Sequence, residues 1–178
     1  MPVENFFADR SKEHEGLTTL MRASLLHSLE KCDEVIIACN TAHIHAEKIV
    51  DSTGINLTSI VDEALFAINK LGIKNLGIVA SPTSLKVELF KLREIKIIKP
   101  LPHHKKLLEE IIGDIIDGDD PLNRAVDVKH IITSLFEQGA THVLLGCTEL
   151  ELVMSKSSDE RLIRPLEITI KNLLERIK

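Results

Sequence analysis

Val35-Ile36-Ile37-Ala38-Cys39-Asn40-Thr41 and, much later, Val143-Leu144-Leu145-Gly146-Cys147-Thr148-Glu149 share one design: an apolar strand, a small residue, a Cys, and then a Thr within two positions. Short apolar runs with little alternation are the mark of strands buried on both faces, as in a parallel sheet. Working outward, the further strand candidates are residues 56–60, 76–80 and 95–98, beside those at 34–38 and 142–145. Amphipathic stretches of helix length separate them. Leu17, Leu20, Met21, Leu25 and Leu29 recur at helical spacing, as do Val61, Ala64, Leu65, Ile68 and Leu71. Further helices are expected over residues 107–116, 122–138 and 167–177. Gly72 and Gly139 stand where helix C-terminal glycines belong, and Asp120-Pro121 reads as an N-cap with Pro at the first helical position. Lys99-Pro100-Leu101-Pro102 reads as a strand exit that does not continue as a helix. The alternation of β and α points to an α/β fold.

The chain has 178 residues and a formal net charge of −5, with no basic cluster of the kind that grips nucleic acid. No apolar run approaches the roughly 20 residues of a membrane span, and the start lacks a signal-peptide pattern. The cytoplasm is the expected address, with neither nucleic acid nor membrane as a partner. Three Cys, at 32, 39 and 147, are too few for a disulfide framework.

In a parallel sheet, ligands collect just beyond the carboxyl ends of strands, and both Cys39 and Cys147 fall there. A thiol titrates near neutrality, at about 8.5, and is a serviceable proton carrier. Two thiols on opposite faces of one carbon can remove a proton from one side and return it from the other, inverting a stereocentre without a cofactor. Either Cys alone reads as a buried small hydrophobe; the matched contexts favour chemistry. Ala38-Cys39-Asn40-Thr41-Ala42-His43 and Gly146-Cys147-Thr148-Glu149-Leu150 resemble the two signature motifs of the aspartate/glutamate racemase family, cofactor-independent amino-acid racemases. The likeness runs from about Asp9 to the C-terminus through Leu76-Gly77-Ile78-Val79-Ala80-Ser81-Pro82-Thr83, and Glu149 after Cys147-Thr148 resembles the aspartate racemase branch.

That resemblance implies two α/β lobes with parallel sheets flanked by helices, facing each other across a cleft. Residues 1–60, with a returning C-terminal helix at 160–178, would form the first lobe and residues 61–159 the second. It implies Cys39 and Cys147 as the acid/base thiols. Asn40, Thr41, Thr83, Thr148, Glu149 and Arg10 would contact an amino acid or other small carboxylic acid, with no cofactor and no metal. Relative to the family pattern, roughly 45 residues of amino-terminal βα structure are absent. The first lobe is therefore expected to be incomplete and the chain to associate as a homodimer. Asp117 stands where the family often carries a Lys for a distal carboxylate, and an acidic side chain repels one. A truncated, inactive relative acting as a small-molecule-binding or interaction module is the alternative reading. His43 and His45 would lie about 200° apart on a helix and cannot share a metal position. His43 reads instead as a structural donor behind the site, and Cys32 as a packing residue or a surface thiol.

Overall fold

The computed structural model describes residues 34–46, 50–51, 54, 56–86, 89–90 and 94–176. Asp9, Arg10, Cys32 and the helical pattern at 17–29 lie outside the described residues. Two parallel sheets organise the rest. In the smaller, β1 (Val35–Ile36) pairs with β2 (Leu57–Thr58). The larger has four parallel strands in the order β4-β3-β5-β6: β3 is Asn75–Val79, β4 Lys96–Ile98, β5 His142–Leu145 and β6 Leu162–Ile163.

The larger sheet is buried on both faces, which is why its strands show so little alternation in sequence. Leu76 and Ile78 of β3 and Leu144 of β5 pack under α1 (Ile60–Lys70) with Ile60, Ala64 and Ile68. On the opposite face, Val79, Val143 and Leu145 meet Leu108, Ile111 and Ile112 of α3 (Pro102–Ile116) and Val128, Ile131 and Leu135 of α4 (Ala125–Glu137). The short α2 spans Pro82–Lys86. The close approach of α4 needs Gly77, since a Cβ there would lie 3.0 Å from Val143 Cγ2 and 3.2 Å from Leu135 Cβ.

Local signals work as sequence chemistry requires. Ser59 caps α1 by accepting from the Asp62 amide (3.1 Å), and Gly72 after it takes φ 63°. Asp120 accepts from Leu122 N (3.0 Å) and opens a 3₁₀ turn, Pro121–Arg124, ahead of α4; Gly139 beyond α4 has φ 97°. The structure differs from expectation at Pro102, which starts α3. Proline at a helix's first position has no N–H to leave unbonded and its φ already suits the turn, so it is a beginning rather than a stop. The strands expected at 34–38 and 56–60 are only two residues long here, and Ile60 belongs to α1.

Near its carboxyl end the described chain adds one more strand and one more helix. Leu162–Ile163 extends the larger sheet as β6, and α6 (Pro165–Arg176) packs on α1, where Glu63 accepts from Asn172 Nδ2 (2.5 Å) and Arg176 Nη2 (2.8 Å). The start of α6 is capped by a buried side chain of α5 (Thr148–Val153): Glu151 accepts from Leu166 N (3.0 Å) and Glu167 N (3.3 Å). No described helix is long and apolar enough to cross a membrane.

Burial pushes the Glu151 carboxyl up to about 7, against the two amide bonds and Arg164, which favour its charged form. In the unfolded chain the group titrates at about 4.3. Between these values the native state binds the extra proton, so stability contributed by this group is fully present below about pH 4.3 and is lost as pH rises through about 7, on the order of 3 to 4 kcal/mol. Urea midpoints measured from pH 5 to pH 8 are expected to fall more steeply for the native chain than for Glu151→Gln; parallel slopes would contradict this assignment.

Candidate active site

Cys39 follows β1 and Cys147 follows β5, each at the carboxyl end of its strand. Cys39 is half-buried, and its amide donates to Ile37 O at 2.8 Å in a tight bend. Asn40 then opens a 3₁₀ turn, Thr41–His45. Cys147 is buried and caps α5, its carbonyl accepting from Leu150 N at 3.1 Å. The preceding Gly146 donates to Val79 O at 2.7 Å, and a Cβ on it would lie 2.9 Å from Ala80 Cβ and 3.1 Å from Phe90. Only glycine lets the chain enter the Cys147 loop that close to β3.

Side chains bring the two loops together. Thr148 Oγ1 has one hydrogen to share between Ala38 O (3.4 Å) and the Glu149 carboxylate (3.2 Å), and that carboxylate also accepts from Cys147 Sγ (2.6 Å). Thr41 Oγ1 lies 2.9 Å from Ser84 Oγ and 3.2 Å from Ser81 Oγ; Ser81 Oγ and Ser84 Oγ are 3.1 Å apart. These three buried hydroxyls join the Cys39 loop to the segment that follows β3. Thr83, half-buried, sits on α2 between the two serines. Asn40 is 1% exposed, yet among the described residues neither its Nδ2 nor its Oδ1 has a hydrogen-bond partner. A buried amide left so costs a few kcal/mol unless something else bonds to it.

Electrostatics ties the two thiols to each other. Burial pushes the Cys147 thiol well above its ordinary range, with the Glu149 charge, the bond to Glu149 and the nearby Cys39 acting in the same direction. Cys39 is raised too, chiefly by burial and also by Glu149, while the Ala42 and Thr41 amides oppose the rise. Glu149 thus acts on both thiols from one position. Among the described residues no group of three His, Cys, Asp or Glu side chains could hold a metal ion. A crevice of about 990 Å³, lined by Glu34, Asp62, Glu63, Phe66 and Arg176 among others, contains neither thiol.

The family model for Asp/Glu/hydantoin racemases matches residues 3–173. The chain belongs to that family. A broad-specificity amino-acid racemase of Bacillus subtilis (strain 168), RacX, is 23% identical over 163 residues, covering 87% of this chain and 69% of that one. The aspartate racemase of Picrophilus torridus has a similar fold, with TM-score 0.73 and 21% identity over 87% of this chain and 68% of its own. An aspartate racemase homologue from Pyrococcus horikoshii OT3 gives TM-score 0.70 and 21% identity, over 93% and 76% respectively.

Of the residues that the resemblance singles out in this racemase-family chain, Cys39, Asn40, Thr41, Cys147, Thr148 and Glu149 are linked at one locus; Arg10 is outside the described residues. Asp117 is exposed at the C-cap of α3. Sequence reasoning missed Ser81 and Ser84. Ser81 precedes Pro82 and accepts from Ser84 N (3.2 Å), so the Ser-Pro-x-Ser pattern was the available signal, as a helix cap. Glu149→Gln removes a charge that disfavours both thiolates, so Cys147 should alkylate several-fold faster with iodoacetamide at pH 8. Peptide-resolved mass spectrometry checks this, and a slower Cys147 would contradict it.

Proposed function

We propose that the chain racemises amino acids by two-thiol proton transfer at the α-carbon, without a cofactor. The observation that supports this best is the shared locus of Cys39, Cys147 and Glu149 beside the unpartnered amide of Asn40. One cysteine, as thiolate, takes the α-proton: its S–H bond forms while the C–H electron pair stays on carbon next to the substrate carboxylate. The other cysteine, as thiol, gives its proton to the opposite face, and the two exchange protonation states. Glu149, accepting from the Cys147 thiol and raising its pKa, keeps Cys147 protonated and so suits it to give its proton to the substrate carbon.

The substrate carboxylate would be held by donors that strengthen as negative charge grows beside it. Asn40 Nδ2 serves first in this reading, with Thr41, Thr83 and Thr148 hydroxyls around it and Arg10 as a cationic partner. An uncharged side chain fits better than a second carboxylate near the Glu149 carboxylate. The broad-specificity racemase among the relatives is consistent with that preference.

The test is racemisation of a panel of L- and D-amino acids, followed by chiral chromatography, with α-proton exchange in D₂O. Cys39→Ala and Cys147→Ala should each reduce racemisation by at least about a hundredfold. One of them should retain exchange from a single enantiomer, because one base still works on its own face. Racemisation persisting in the Cys39→Ala,Cys147→Ala double variant would place the chemistry elsewhere. Binding of amino acids with no exchange in the native chain would favour the binding-module reading.

A further inference from the structure

His43 lies in the turn after Cys39, is 9% exposed, and places Nδ1 2.9 Å from the Cys39 carbonyl oxygen. A carbonyl oxygen has no hydrogen to give, so Nδ1 carries the proton and donates. The backbone closes the same loop from the other side, with His43 N donating to Asn40 O at 3.0 Å. Between these two bonds run the Thr41 and Ala42 amides, which face the Cys39 sulfur. Successive amides aimed at one atom form a small anion-stabilising concavity, and its value depends on the peptide planes staying put. The five-residue 3₁₀ turn offers little rigidity by itself.

We infer that His43 is the positioning residue for Cys39: by clasping the Cys39 carbonyl through Nδ1–H, it holds the Thr41 and Ala42 amides on the Cys39 sulfur. This rests on the reading of Cys39 as an acid/base thiol, and it explains why a buried ring is kept with its Nε2 lacking a partner. The ring is committed to one nitrogen's bond. Burial holds His43 below its ordinary pKa, with Asp62 and the Cys39 and Asn40 backbone bonds opposing, so the ring is neutral near pH 7. Protonation at lower pH adds a hydrogen at Nε2 and leaves the Nδ1 donor in place, so the clasp survives it. The charge that does act on Cys39 is that of Glu149.

Two substitutions separate positioning from bulk. In His43→Asn the side-chain amide donor falls near the Nδ1 position, whereas in His43→Gln it falls near Nε2; His43→Leu keeps volume and removes both. The readout is the pH dependence of iodoacetamide alkylation of Cys39 in the full chain, resolved by peptide, with Cys147 as internal reference and circular dichroism to confirm folding. His43→Gln and His43→Leu are expected to slow Cys39 alkylation at pH 8 about tenfold by moving its ionisation up about one unit, with Cys147 unchanged. His43→Asn is expected to stay within about threefold of the native rate. The native profile should show one ionisation with no step from His43.

Should His43→Leu unfold, the Asn and Gln variants decide the matter. Equal Cys39 profiles in Asn and Gln, or an unchanged profile in a folded Leu variant, would overturn the assignment. Alkylation needs no turnover, so the expected pattern in a chain that racemises nothing would uphold His43 as the positioning residue while removing the racemase reading. In an active chain, His43→Gln should lower kcat with KM within about threefold, and His43→Asn should restore it.

Discussion

Parallel pairing of β3 with β5 along Leu76↔His142 to Val79↔Leu145 fixes where everything else can go. Because the strands run the same way, their carboxyl ends emerge together, and the loops carrying Ser81 and Cys147 leave the sheet side by side. Apolar cover on both faces locks that register: a slip of one residue would turn Leu76 and Ile78 toward α4 and Val79 toward α1, exchanging two differently shaped cores. Gly77 and Gly146 record the same constraint, since each stands where a neighbouring strand or helix comes too close for a methyl group.

The burial that stabilises the sheet makes both thiols weaker acids than thiols in water. The two are not equivalent. Cys147 is buried and bonded to an anion, whereas Cys39 has two backbone amides facing its sulfur. Fixed dipoles stabilise a thiolate without themselves having to reorganise, so Cys39 is the thiol more readily ionised by its surroundings, and Cys147 is the one whose proton is held in place by its carboxylate neighbour. A pair with unequal surroundings loses its first proton from one particular sulfur, here Cys39.

The sequence made the larger sheet legible because continuous apolar runs such as Leu76–Ala80 and Val143–Leu145 have few other uses in a chain this polar. It made the Cys39 and Cys147 loops legible because the same small-residue-then-thiol pattern ends both strands. Leu162–Ile163 left no trace, since two residues have no period, and β6 exists through the β5 edge it joins. Glu151 is hidden for a related reason: an acidic residue on a short helix reads as solvated unless the distant amides of Leu166 and Glu167 are known to lie above it. The Thr41, Ser81 and Ser84 hydroxyls meet across some forty residues of chain, and hydroxyl contacts impose no spacing on the sequence between them.

That trio of hydroxyls has a property that carboxylates or amides in its place would lack. Each hydroxyl hydrogen is free to turn about its C–O bond, and the ring is closed by contacts of unequal length, 2.9 Å from Thr41 to Ser84 and 3.2 Å from Thr41 to Ser81. Ser81 also accepts from the Ser84 amide, so it does not depend on Thr41 for a donor. Rotating the Thr41 hydrogen outward opens only the longer contact, while Thr41 goes on accepting from Ser84 and the seam between the two loops stays joined. The seam between the two loops can therefore give up the Thr41 hydrogen and stay closed, without any movement of the backbone.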